Sequence, residues 1–301
     1  TNVVLKREPV MNSIFSRTFK AFSTLVVAGL LSACGASSTV EAFAPTRVVG
    51  LGDGYNDIRT ATGGVAPTVR EGANLTGSVV EQVAAYFGQT NVVSYASGGA
   101  RVADLAAQID AVGSFSSGDL VLIAVGTFDV KAGANPVTEA QTLTTQVQRL
   151  KTAGVKHILV MPVLDVSRTP WGRANSFDPT ASISTSLTNT FNTEVLSALS
   201  TAFGGQTPNT VIYANASGLT SLFLTVTSLT TYSPFTDTGY NGTAAGTTPA
   251  CGNAAVFVGC DASAANSSFA TMLFADGIHL TPAGNRWVAQ FLFNATRQGW
   301  R

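Results

Sequence analysis

Charge is what this chain has least of. Only 11% of its 301 residues are charged, and the formal net charge is zero, against roughly a quarter charged in an average domain. Nothing in that balance suggests a nucleic-acid or acidic-surface partner, and no nucleic-acid partner is expected. Histidine is nearly as scarce, at two residues, and cysteine numbers three. None of the short His/Cys spacings of zinc sites occurs, so neither a metal nor a cofactor is expected. There is no internal repeat, and beyond Leu31 no apolar run is long enough to span a bilayer. Ser, Thr, Asn, Ala and Gly supply the surface instead, a mixture more usual outside the cell than in the cytosol.

The amino end reads as a leader rather than as fold. Met11 opens a stretch with Arg17 and Lys20, an apolar run from Ala21 to Leu31, and then Leu31-Ser32-Ala33-Cys34. A basic region, a short apolar core and small residues before a cysteine resemble a bacterial lipoprotein signal, in which the cysteine is acylated and becomes the new amino terminus. The alternative is an ordinary secretory signal with an incidental cysteine. Gly35 stands where an inner-membrane retention signal usually carries Asp, which favours the outer membrane. Residues 1–46 are thus expected to be leader and tether, and 47–301 the domain. Export leaves Cys251 and Cys260, nine apart, for a local disulfide.

From Arg47 onward strands and helices alternate. Val48–Leu51, Val92–Tyr95, Asp119–Val125, His157–Val163 and Val211–Tyr213 read as strands, the third an unbroken apolar run that fits burial on both faces. Helices are expected near Leu75–Phe87, over residues carrying Leu105, Ile109 and Val112, over about 137–153, over about 182–203 with Leu187, Phe191, Val195 and Leu199 inward, and from Thr281-Pro282 to the end with Trp287, Phe291 and Leu292 inward. This pattern predicts an α/β fold with a parallel, doubly wound sheet of flavodoxin-like kind. Residues 214–275 break it and read as a long loop with some short strand or helix, stapled by the disulfide.

Two motifs carry the chemistry. Val48-Val49-Gly50-Leu51-Gly52-Asp53-Gly54-Tyr55-Asn56-Asp57 runs a strand straight into a tight polar loop. Asp276-Gly277-Ile278-His279 precedes the last helix at a spacing that lets one loop set a carboxylate beside an imidazole, fixing its tautomer and favouring its protonated form. These two blocks resemble the first and last signature blocks of the SGNH/GDSL hydrolases, the first of which usually reads Phe-Gly-Asp-Ser-Leu-Ser-Asp. Ser94-Tyr95-Ala96-Ser97-Gly98-Gly99-Ala100 and Val125-Gly126-Thr127-Phe128-Asp129 resemble the two middle blocks. The resemblance covers about 47–295, is strongest to secreted and autotransported bacterial esterases, lipases and phospholipases, and implies a three-layer α/β/α fold.

Carried over position by position, the family assigns His279 as base, Asp276 as its orienting acid, Gly99 (with Gly98 second) as an oxyanion donor, and Asp53, Tyr55, Asn56, Asp57 and Asp129 to the site loops. Two family residues are missing. Gly54 stands at the nucleophilic serine, and Phe128 at the asparagine that completes the oxyanion hole. The resemblance therefore implies an exported, lipid-anchored, degenerate ester hydrolase that keeps a cleft for an ester- or acyl-bearing small molecule, lipid or glycan. Two alternatives stand beside it. One is a working ester hydrolase using activated water or another hydroxyl such as Ser94 or Ser97. The other is an envelope protein that uses the fold for self-association or for docking a partner, a surface poor in charge offering little repulsion between copies.

Overall fold

The computed structural model describes residues 43–58, 66–71, 77–182, 184–204, 210–228, 235, 248–252 and 259–300. The leader, including Cys34, lies outside them. Five strands form the central sheet: β1 (Arg47–Gly52), β3 (Val92–Ser94), β4 (Asp119–Ala124), β5 (His157–Met161) and β6 (Val211–Tyr213), in the order β3-β1-β4-β5-β6 and all parallel. The chain winds outward one way from β1 and then the other from β4, so the order reverses between those two strands. A crevice for ligand forms outside the carboxyl ends at such a reversal.

Alternation along the strands builds a core on each face. Val48, Leu120, Leu122 and Leu159 face one layer of helices, where α1 (Val79–Tyr86) packs beside α8 (Pro282–Gly299). Val49, Leu51, Val121 and Ile123 face the other, with α2 (Leu105–Val112), α4 (Pro136–Thr152) and α6 (Leu187–Phe203). Two short helices, α3 (Thr127–Lys131) and α5 (Pro170–Ala174), follow β4 and β5 at the carboxyl edge. The three-layer α/β/α arrangement is the one the pattern predicts.

The differences from the sequence reading are local. The segment after β6 is not loop at its start: α7 (Ala216–Ser228) forms there, with Leu219 and Phe223 one turn apart in the core. The helix expected from about 182 begins at Leu187, capped by Ser186, and Leu187 itself is 43% exposed, since it stands at the first position beyond the cap. In α8 it is Val288, Ala289 and Leu292 that are fully buried, with Trp287 and Phe291 only partly covered. A second, two-stranded parallel sheet joins β2 (Val69–Arg70) to β7 (Cys260–Asp261). Cys251 and Cys260 are disulfide bonded beside it. Among the described residues no helix is long and apolar enough to cross a membrane.

Candidate active site

The carboxyl ends of β1 and β4 approach so closely that only glycine fits at the crossing. A Cβ on Gly52 would lie 1.8 Å from the Ala124 carbonyl oxygen, and its φ of +109° is one that L side chains rarely adopt. Gln108, on the buried face of α2, clips this glycine from both sides, accepting its N–H at 2.6 Å and donating to its carbonyl at 2.9 Å. Asn56 donates to the Leu51 and Leu122 carbonyls, tying the two strand ends together. The loop from Asp53 to Asp57 is thereby fixed over the reversal point of the sheet.

A hairpin-like turn closed by a bridge between Phe274 and Leu280 delivers the opposing pair. Asp276 Oδ1 accepts the N–H groups of Ile278 and His279 at 2.8 and 2.7 Å, and the Ala275 N–H donates to the His279 carbonyl. That winds the loop tightly enough to set His279 Nδ1 2.9 Å from Asp276 Oδ2. Thr281 caps α8 immediately afterwards, with Pro282 at its first position. The Tyr55 hydroxyl donates to the Ile278 carbonyl at 3.0 Å, and the Trp171 N–H donates to the Gly277 carbonyl at 2.8 Å. The disulfide supports the same loop from behind: the Cys251 N–H donates to the Ala275 carbonyl, and the Cys260 N–H to that of Thr68.

These two loops meet at Gly54. A Cβ placed there would lie 2.2 Å from His279 Nε2, 2.7 Å from its Cδ2 and 2.8 Å from Pro67 Cγ. The imidazole edge therefore fills the volume in which any side chain at position 54 would begin. Phe128, in the first turn of α3, stacks near the same ring, the two planes 30° apart with centroids separated by 6.1 Å. Asp53, Asp276 and His279 are all at most 1% exposed.

Burial governs the charges here. It would lower the His279 pKa, but the Asp276 carboxylate, with Asp53 and Asp57 behind it, raises it above the ordinary histidine value. Burial would likewise raise Asp276, yet the facing imidazole and the turn's N–H groups hold it below the ordinary carboxylate value. Asp53 has weaker compensation, from His279, the Tyr55 N–H and Thr127, and burial pushes it up to about 7. Asp129 is raised to about 6, again mainly by burial, while accepting the Val102 N–H at 3.1 Å.

The remaining residues singled out from the sequence are also placed. Gly99 adopts a φ of +83° in the turn after β3. The Gly98 N–H, the second choice as oxyanion donor, is instead committed to Asp57 Oδ2 at 2.9 Å. Ser94 turns its hydroxyl to the Asn56 carbonyl at 2.6 Å, and Ser97 is exposed, its N–H donating to the Gly52 carbonyl. His157 opens β5 and stacks on Phe43, at the opposite end of the sheet from His279. Among the described residues no group of three or more His, Cys, Asp or Glu could hold a metal ion. Gln108 was not singled out. Its signal was a lone polar residue between Leu105 and Ile109 on the apolar face of a helix.

Residues 51–183 match the family model of the GDSL-like lipases/acylhydrolases. No curated protein matches the chain. Similar solved structures include a member of the lipolytic G-D-S-L family from Veillonella parvula, at 13% identity over 82% of this chain and 96% of that one, with a TM-score of 0.46. They also include a catalytic mutant of an acetylxylan esterase from Geobacillus stearothermophilus, at 15% identity over 83% of this chain and 94% of that one, with a TM-score of 0.47. Over residues 51–183 the chain is thus similar to the GDSL-like lipases/acylhydrolases, and the signature block at the carboxyl end of β1, in an all-parallel sheet, lies inside that span.

Proposed function

We propose that this chain is a degenerate member of that family, which holds an acyl- or ester-bearing ligand without turning it over. The observation that carries the reading is the 2.2 Å between His279 Nε2 and the place of a Cβ at Gly54. An acyl-enzyme cannot form on glycine, and here the base has settled into the nucleophile's space. Phe128 compounds the loss, because an apolar ring stands where the family supplies an amide to the developing negative charge. One missing oxyanion donor typically costs ~10²–10³ in rate.

Several features support retention of a ligand site: the Asp276–His279 pair, the Gly98–Gly99 turn, and a position at the reversal of the sheet order. A fluorophosphonate probe with mass-spectrometric detection tests the proposal. No site should be labelled, whereas a labelled serine would identify a nucleophile and overturn it. A second reading, hydrolysis by water activated at His279, is favoured by the intact pairing with Asp276 and predicts a slow rate lost in His279→Ala. Export and lipid anchoring through Cys34, to an outer membrane, complete the proposal and rest on the leader sequence. Mass spectrometry of the amino-terminal peptide, expected to begin with acylated Cys34, tests that part.

A further inference from the structure

The end of the sheet opposite the site is unusually aromatic. Phe43 stacks on His157 with centroids 3.5 Å apart and meets the Trp300 and Phe87 rings edge-on at 5.3 and 6.0 Å. Beside them Phe293 stacks on Tyr86 at 5.4 Å and meets Phe87 edge-on at 4.9 Å. Tyr86 is 36% exposed, and Phe43, Phe87, Phe293 and Trp300 are only partly covered. Lys156 is exposed next to His157, and Arg297 is exposed on the last turn of α8 between Phe293 and Trp300. Trp and Tyr are the rings enriched at the headgroup level of a bilayer, and flanking cations favour its anionic lipids. Tyr86 and Trp300 beside Lys156 and Arg297 fit such a surface, with the Phe rings packed between them.

The chain's own connectivity joins this end of the domain to the leader. Phe43 belongs to this cluster, and only residues 35–42 separate it from Cys34. Eight residues span at most about 28 Å even fully extended. The site lies beyond the other end of β1, whose six residues place it about 20 Å from the cluster at the usual strand rise. We infer that the aromatic end of the domain rests on the phospholipid bilayer that holds Cys34, so that the site opens away from that bilayer and takes a ligand from the aqueous side. This inference rests on lipidation of Cys34, from the proposed function, and adds an orientation and a direction of ligand entry.

Tryptophan positions supply the test. Trp300 lies in the cluster, while Trp171 lies at the site end, its backbone N–H donating to the Gly277 carbonyl. Full-length lipidated chains retaining a single tryptophan, made by Trp→Phe changes at the other two, are reconstituted into phosphatidylethanolamine/phosphatidylglycerol vesicles containing brominated lipid. Most Trp300 emission should be lost, with Trp171 emission preserved. Tyr86→Ser with Phe293→Ser should restore Trp300 emission while leaving the circular dichroism unchanged. Acylated Cys34 with Trp300 unquenched, or with Trp171 quenched instead, would overturn the orientation and leave the anchor standing. A Cys34 without lipid would remove the anchor, and the orientation with it.

Discussion

Placing a serine at position 54 alone should damage this protein before it helps it. In Gly54→Ser the new Cβ starts 2.2 Å from His279 Nε2, and ordinary van der Waals contact begins near 3.4 Å, so the ring must retreat by about 1.2 Å. It has little freedom to do so. Nδ1 is held by Asp276 at 2.9 Å, the Phe128 ring is stacked near it, Pro67 Cγ lies 2.8 Å from the same Cβ, and His279 is 1% exposed. Overpacking of this kind costs ~1–3 kcal/mol. For a domain of this size that is a fall in Tm of roughly 2–12 °C, at about 2–4 °C per kcal/mol. Gly54→Ala, with the same Cβ and no hydroxyl, should lose about as much. Adding Phe128→Asn removes the stacked ring, giving the imidazole room to shift, and puts an amide beside it. The double variant should therefore recover part of the stability and be the first to show esterase activity. Scanning calorimetry and ester turnover on the four proteins decide it. A Gly54→Ser protein as stable as its parent and already active would refute the reasoning, because it would mean the space at Gly54 is open.

Asp53 titrates at about 7, above the ordinary carboxylate value of 3.8, so the stability it contributes is complete below 3.8 and is lost as pH rises through 7. Asp53→Asn, which cannot ionise, should gain in Tm relative to its parent from about pH 4 to about pH 8, and a difference that stays flat or falls would contradict the assignment. Asp276 runs the other way, its depressed pKa giving stability above 3.8 that is lost as pH falls; Asp276→Asn should therefore cost more at neutral pH than in acid, as followed by denaturant melts. Opening the Cys251–Cys260 ring should cost about 2–3 kcal/mol by loop entropy, and because Cys251 backs the Ala275 carbonyl, hydrogen exchange at Ile278 and His279 should quicken in Cys251→Ser/Cys260→Ser.

How much of this was legible beforehand follows from the range of the interactions. The five strands could be read because each is a local apolar run, β4 above all, and their parallel order followed from the helices between them. The pairing of Asp276 with His279 was legible because three residues and one turn produce it. Within residues 214–275 some short helix was expected but α7 was not located, because Thr and Ser between Leu219 and Phe223 mask a helical period in a stretch otherwise rich in turn formers. Gln108 was missed because its partner, Gly52, is 56 positions away and only the folded sheet brings the two together. Two absences, at Gly54 and Phe128, were plain in the sequence. That the His279 imidazole lies against Gly54 was not, since it depends on the folding of two loops more than 200 positions apart.

The central claim, that the site has lost acyl transfer, is met most directly by ester turnover of the unaltered protein. With p-nitrophenyl acetate and butyrate, the rate should lie near the uncatalysed background and should not change in His279→Ala, because no hydroxyl at position 54 stands ready to be acylated. A rate typical of esterases that is abolished by His279→Ala would contradict the account and show that another nucleophile serves this site.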